Sequence, residues 1–273
     1  MQRLKSEMDT ANHRVADGIA HSYLATVTNL SVVIPAFNES TKIARDICSA
    51  AEFLETSNLC GEILVIDDGS SDPTSAVARD ARLPSSVSLV VMRNDRHSGK
   101  GFALRRGVMA SHGDFVAFAD SGLTVPFDDA LRGLHMLQEG VCEIAHGSRR
   151  FPGSVIVKEQ DWDRRIASRL FHWTVMRLMH LPNHLTDTQC GFKIYRGDVA
   201  RSLFSECSTR SFMFDVELIV RAQIHGYRIG EFPVTWTCDR DSRLSFLGSP
   251  WHILAELGHI RRTLVLPMMQ RQI

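Results

Sequence analysis

The 273-residue chain balances 31 basic against 31 acidic side chains and is 44% hydrophobic and 23% charged, the composition of a soluble globular protein large enough to bury an extensive core. The cancelled charge gives no case for a nucleic-acid partner. Six cysteines with no C-x-x-C pair, and an N-terminus without an apolar signal core, fit a reducing cytosol, and no stretch reaches the roughly 18 apolar residues of a spanning helix, so any membrane contact is expected to be peripheral.

Residues 1–28 are polar with scattered apolar points and read as a lead-in to one large domain, 29–245, followed by a C-terminal amphipathic helix, 246–273. Leu30 to Pro35 (LSVVIP) is an apolar run of strand length; Asn38 follows as a candidate N-cap, and Ile43, Ile47, Ala51 and Leu54 recur at helical spacing. Glu62 to Asp68 (EILVIDD) repeats the pattern and ends in two carboxylates, before Asp72 as N-cap and Pro73 as first helical residue. Val87 to Met92 is a third strand, and HSGKGFALRRG is a glycine-bearing loop entering a helix. Asp114 to Ala119 is a fourth strand, broken at Asp120 by a Ser-Gly turn and Pro126. Glu143 to Arg149 and Phe192 to Tyr195 add short strands, while Asp161 to Leu181 and Met213 to His225 read as helices. Arg228 to Trp236 alternates like an edge strand, because Pro233 cannot donate to a central ladder. From Pro250 a last helix places Ile253, Leu254, Leu257, Ile260 and Leu264 on one face.

Short apolar strands alternating with helices argue for an α/β fold with a mostly parallel sheet, whose ligands bind where the strands end. Asp67, Asp68 and Asp120 all fall at such ends. Asp120 fits either a carboxylate that holds a metal against a diphosphate or a turn aspartate bonding its own backbone. Lys100, with Arg105 one turn on, fits either a diphosphate contact or a solvated basic face. No G-x-G-x-x-G follows the first strand, which excludes a dinucleotide dehydrogenase, and the histidines lack zinc-ligand spacing.

The motifs VVIPAFNE (Val32 to Glu39), EILVIDDGSSDPT (Glu62 to Thr74), GKGFALRRG (Gly99 to Gly107), DSGLTVP (Asp120 to Pro126), GSR (Gly147 to Arg149) and DTQCGFK (Asp187 to Lys193) together resemble the family 2 glycosyltransferases of GT-A fold. The likeness spans roughly Leu30 to Leu244 and covers the dolichyl-phosphate β-glucosyltransferase and dolichol-phosphate mannosyltransferase branch; DTQCGFK with FDVEL (Phe214 to Leu218) looks more like the glucosyl side. The resemblance implies that Pro35, Ala36, Glu39 and Asp67 serve the nucleoside, with Asp67 accepting from a uracil ring N–H, and that Asp68 also belongs to the sugar-nucleotide site. It further implies that Lys100, Arg105, Asp120 and Ser121 serve the rest of the sugar nucleotide, and that Asp187, Arg149 and Lys193 are catalytic. Most of the family carries D-x-D where this chain has Asp120 and Gly122, so an Mg²⁺ or Mn²⁺ cofactor is expected on Asp120 and Thr124 alone, completed by substrate phosphates and water. Asp187 is expected to orient a lipid phosphate and take the proton of its monoanionic form, an effect larger at pH 6 than at pH 8; the bland reading is an N-cap or turn aspartate before CGFK.

Between Gly147 and Leu181 the basic residues Arg149, Arg150, Lys158, Arg164, Arg165, Arg169 and Arg177 outnumber Glu159, Asp161 and Asp163, and the helix there carries more apolar side chains than one core-facing stripe needs. It fits either an in-plane helix on an anionic membrane or a buried helix with arginines at its rim, and the C-terminal helix fits the same two readings. The resemblance implies an inverting enzyme that moves glucose from UDP-glucose onto a polyprenyl or dolichyl phosphate at the cytoplasmic face of a membrane, with a homo-oligomer left open. The alternatives are GDP-mannose or another sugar nucleotide, another acceptor, or a non-catalytic nucleotide-sugar-binding protein.

Overall fold

The computed structural model describes residues 29–158, 162–238 and 250–270; the lead-in 1–28, Glu159 and Asp161 lie outside them, as do the side chains of Lys158, Asp163, Arg164 and Arg165. The elements in chain order are β1 (Asn29–Ala36), α1 (Ile43–Thr56), β2 (Cys60–Asp67), α2 (Thr74–Arg79), β3 (Val87–Arg93), α3 (Lys100–Ala110), β4 (Phe115–Ala119), α4 (Ala130–Gln138), β5 (Ile144–Ser148), β6 (Val155–Lys158), α5 (Trp162–Met179), β7 (Phe192–Arg196), α6 (Gly197–Glu206), α7 (Phe214–His225), β8 (Ile229–Pro233), β9 (Thr235–Thr237), α8 (Pro250–Ile260) and α9 (Leu266–Gln270), with a π-helical turn, Arg261–Val265, joining the last two.

Seven strands form one sheet in the order β3-β2-β1-β4-β7-β5-β8, and β6 pairs with β9 in a small parallel ribbon. Every pairing in the large sheet is parallel except those of β7, which runs antiparallel to both β4 and β5. The period-two alternation within an apolar strand serves both faces at once. Leu30, Val32 and Ile34 of β1 face α1 and α4, while Val33 joins Leu64, Ile66, Val116 and Phe118 under α3, α6 and α7. On that second face Phe118 stacks with Tyr195 at 6.0 Å between ring centroids and meets Phe214 edge-on at 5.9 Å; a ring packed this way costs about 3–5 kcal/mol when truncated to alanine. The edge position expected for Arg228 to Trp236 holds for β8, and Pro233 ends it.

Of the two capping expectations, one changes. Asn38 stands before α1 at φ 55 rather than capping it, and its side-chain oxygen accepts the backbone N–H of Ser71 at 2.7 Å, tying the β1 loop to the β2 loop. Asp72 does accept the Thr74 N–H at 3.1 Å, and its other oxygen accepts the Ser40 N–H at 3.1 Å. These crossed bonds hold the first two strand-end loops side by side. The antiparallel β7 then completes the edge: Phe192 pairs with Ala119 and Lys193 with His146, so the DTQCG loop enters the sheet where β4 and β5 leave it.

Candidate active site

A cavity of about 400 Å³ opens at this edge. Pro35, Ala36 and Glu39 line it from the β1 end, Asp68 and Lys100 from beyond β2 and β3, and Asp120, Ser121 and Thr124 from the β4 loop. Sequence reasoning missed its aromatic wall. Phe37 and His97 stack with ring centroids 4.0 Å apart, and Phe212 also lines the cavity. Phe37 and His97 both lay inside quoted stretches, but nothing in either showed that the two rings meet, and Phe212 left no local signal.

Asp67 is not part of the lining. Its side chain is fully buried, one oxygen accepts the Ser70 N–H at 2.8 Å, the other the Ser75 hydroxyl, and Arg93 lies 3.5 Å away. The expectation that it meets a uracil N–H is therefore corrected: in this arrangement its lone pairs fold the β2 loop, and its neighbour Asp68 faces the cavity. Asp68 accepts the Gly99 N–H at 2.7 Å and lies 2.8 Å from His97 Nδ1, which pins the GKG loop to the strand end. Arg105 is also corrected. It is exposed, and its guanidinium reaches the Ser205 carbonyl at 2.9 Å on α6, away from the cavity.

Asp120 and Lys100 form the charged floor. Lys100 Nζ lies 2.5 Å from Asp120 Oδ1, close enough for an ion pair but off the hydrogen-bonding direction. Burial works against the ammonium, yet Asp120 and Asp215 hold its pKa above the ordinary lysine value. Gly191 of DTQCGFK explains why Asp120 can sit there, since a Cβ on Gly191 would occupy the Asp120 carboxylate. Gly122 adopts φ 101, a region that L side chains rarely enter. The turn is held from α1 by Asp46, which is 1% exposed and accepts the Ser121 hydroxyl at 2.7 Å and the Gly122 N–H at 2.8 Å. Burial pushes the Asp46 carboxyl up, against the pull of these two donors. Among the described residues no three His, Cys, Asp or Glu side chains converge as a metal cluster.

Where β5 and the DTQCG loop meet, Asp187 and Arg149 form a bidentate clamp, with Nε to Oδ2 at 2.6 Å and Nη2 to Oδ1 at 2.8 Å. Asp187 is 2% exposed; burial opposes its charge, but the Arg149 guanidinium holds the carboxyl well below the usual carboxylate range. It is a buried anion whose two oxygens fix the direction of the Arg149 guanidinium. Arg149 stacks on Trp236 at 5.3 Å and is a fifth exposed. Arg150 donates to the Thr186 carbonyl at 3.2 Å. Burial, then the neighbouring Arg150, keeps His172 of α5 below the usual histidine value. Lys193, expected to be catalytic, is corrected: it is fully buried, donates to the Thr188 carbonyl at 3.1 Å and pairs with Asp215 of α7. Its charge supports the DTQCG loop from below.

Helix α5 divides its apolar residues. Val175 and Met179 are buried, Phe171, Met176 and Leu178 pack partly against the core, and Leu170 and Trp173 stand 64% and 58% exposed. Arg177 lies over the Trp173 ring at 5.6 Å, and Arg169 is exposed. In α8, Leu257 and Ile260 enter the core, but Leu254, expected on that face, is exposed together with Trp251. Glu256 of α8 accepts from the Ser211 hydroxyl, and so fastens the loop that carries Phe212 into the cavity. No helix among the described residues is long and apolar enough to cross a membrane.

The model of the family described as glycosyl transferase family 2 matches residues 31–204. The chain belongs to glycosyl transferase family 2. It is similar to dolichyl-phosphate beta-glucosyltransferase of Dictyostelium discoideum, with 30% identity over 90% of this chain and 80% of that protein, and to the human enzyme of the same name, with 32% identity over 79% and 69%. Glucosyl-3-phosphoglycerate synthase from Mycobacterium tuberculosis, solved with Mn²⁺, UDP-glucose and phosphoglyceric acid, superposes with a TM-score of 0.62 at 19% identity, covering 85% of this chain and 80% of that one. The expected GT-A fold and the resemblance to the glucosyl branch are both borne out, and the protein is a nucleotide-sugar-dependent glycosyltransferase.

Proposed function

We propose that the enzyme transfers glucose from UDP-glucose onto the phosphate of a dolichyl or related polyprenyl phosphate, with inversion at the anomeric carbon. The observation that carries this reading is the placement of two opposite devices at one sheet edge: a cavity with an aromatic wall and the Lys100 ammonium, and beside it a partly exposed arginine aimed by a buried aspartate. The base rests near Pro35, Ala36 and Phe37, and Lys100 meets the diphosphate. Arg149 receives the acceptor phosphate, which is largely dianionic at pH 7 because its second pKa is near 6. One phosphate oxygen attacks the sugar C1 as the bond from C1 to the diphosphate oxygen breaks, and UDP departs with that electron pair. A nucleophile already deprotonated needs no strong base, which agrees with the low basicity of Asp187.

Asp120 Oδ1 is held by the Lys100 ammonium at 2.5 Å, and Thr124 lines the same cavity. That donor set fits a hard divalent cation completed by diphosphate oxygens and water, as a site with one protein carboxylate requires. Mg²⁺ or Mn²⁺ bound there would neutralise charge on the leaving diphosphate. The exposed Leu170 and Trp173, bordered by Arg169 and Arg177, suit shallow contact with an anionic membrane surface, with Trp251 and Leu254 as a second contact. On this reading the enzyme works at the cytoplasmic face, where the lipid acceptor is embedded.

The test is to incubate the protein with dolichyl phosphate in anionic liposomes and a panel of sugar nucleotides, following UDP release and the mass of the lipid product. Hexosyl-phospholipid formed from UDP-glucose, and abolished by excess EDTA, is the expected result. A mannosyl product from GDP-mannose, or nucleotide binding without release of UDP, would sink the proposal.

A further inference from the structure

Glu231 of β8 does not line the cavity and is only 7% exposed, and its charge acts on the neighbouring Arg150 guanidinium. Both of its oxygens are committed to the two residues that open the acceptor loop. Oε1 accepts the Asp187 N–H at 2.9 Å, while Oε2 accepts the Thr186 N–H at 2.8 Å and the Thr186 hydroxyl at 2.8 Å. From these two residues the connection divides. Asp187 clamps Arg149. The Thr186 hydroxyl meets the Ser148 hydroxyl at 2.7 Å, and that oxygen accepts the Arg150 N–H at 3.2 Å. His184 Nε2, bonded to the Ile229 carbonyl at 3.0 Å, ties the same loop to the same strand once more.

We propose that Glu231 is the positioning residue that sets where the two consecutive arginines point, and thereby fixes the seat of the acceptor's anionic group. This rests on the reading above, in which Arg149 meets the acceptor phosphate. The choice of a carboxylate follows from the donors it serves. Two backbone N–H groups approach from two directions, so each side-chain oxygen must accept, and only an ionised carboxylate accepts at both ends. A glutamine offers one oxygen and one amide nitrogen, so whichever way it lies, one N–H of the loop faces another donor. The loop must then move, and Asp187 carries Arg149 with it. An aspartate at this position keeps both acceptors but is one methylene too short to span to the loop.

The test measures equilibrium binding of a short soluble prenyl phosphate, geranyl phosphate, to protein saturated with UDP, together with UDP affinity and acceptor KM and kcat. Glu231→Gln is expected to weaken geranyl phosphate binding and raise acceptor KM by about tenfold or more, since each 1.4 kcal/mol is a factor of ten, with UDP affinity and the thermal midpoint nearly unchanged. Thr186→Val, which removes only the hydroxyl, is expected to shift acceptor binding in the same direction by less, and it carries the test if Glu231→Gln does not fold. In an Arg149→Lys background, Glu231→Gln should add little, because its effect runs through Arg149. Unchanged acceptor binding in both single variants overturns the inference, and so does a parallel loss of UDP affinity, which marks general support of the fold. Wild-type protein that binds UDP but no prenyl phosphate overturns instead the reading on which the inference rests.

Discussion

The two halves of the active site are built on opposite principles. On the nucleotide side, the ends of parallel strands supply a concave wall of backbone, small side chains and stacked rings, with Lys100 and Asp120 held close at its floor. On the acceptor side, around the antiparallel β7, charges are sunk into the protein and neutralise one another: Arg149 on Asp187, Lys193 on Asp215, and Glu231 on backbone donors. The difference teaches where precision comes from in each half. Parallel strand ends position the first half, with short side chains such as Asn38, Asp46, Asp68 and Asp72 accepting from loop backbone, whereas the second depends on buried ion pairs whose partners come from distant elements, so its residues cannot be exchanged singly without leaving a charge unpaired.

The largest break in this comparison is expected at the deepest pair. Asp215→Ala strands the Lys193 ammonium beneath the acceptor loop, and removal of one partner of a buried pair costs about 3–5 kcal/mol, read by chemical denaturation. Next comes Asp187→Asn, which loosens the Arg149 clamp and should lower kcat/KM on the order of 100-fold, equivalent to about 2.7 kcal/mol. Because the Asp187 carboxyl titrates well below the usual range, the loss should be the same at pH 6 and pH 8; a loss confined to pH 6 would restore the base role expected from sequence. The sign for stability follows from the same shift. The folded pKa lies below the unfolded value of about 3.9, so the stabilisation is complete above that pH and drains away as the pH falls toward the folded value.

Smaller effects are expected in the nucleotide half. Gly122→Asp, which would rewrite D-x-G as the commoner D-x-D, must place a side chain at φ 101; about 1–3 kcal/mol of backbone strain is expected, and metal affinity measured by calorimetry should not improve. Asp46→Asn should be the mildest. Burial raises the Asp46 pKa, so its charge opposes folding at neutral pH, and the asparagine still accepts from Ser121 and Gly122. Unfolding at pH 7 should show the variant equal to or slightly more stable than wild type, by less than about 1 kcal/mol. The gap should close at acid pH, where the wild-type carboxyl is protonated.

The first half of the fold was readable because β1 to β4 are apolar runs closed by turn residues, whereas β5, β7 and β8 gave shorter or alternating signals. The strand ends then mark the cavity, and Pro35, Ala36, Glu39, Asp68, Lys100, Asp120, Ser121 and Thr124 do meet there. What stayed hidden depends on direction and on partners. A DD pair does not disclose which carboxylate turns inward, and Ser70, Ser75 and Arg93 decide that for Asp67. The DTQCGFK motif flags Lys193 without revealing Asp215 beneath it. Glu231, 44 residues beyond Asp187, reads only as one polar member of an alternating strand. The sequence marked β9 only as the end of the Arg228 to Trp236 stretch and β6 not at all, because each is short and finds its partner about 80 residues away.

The bond from Ser211 to Glu256 makes the C-terminal helix a structural member of the nucleotide cavity, although it lies beyond the stretch that defines the family. Protease cleavage just before Pro250 would break the covalent link between that helix and the sheet, so nicked protein should hold the loop bearing Phe212 less firmly and lose affinity for the nucleotide before it loses its fold. Bound nucleotide should in turn slow that cleavage, giving the final helix a role as a reporter of occupancy at a site to which it contributes no atom of the lining.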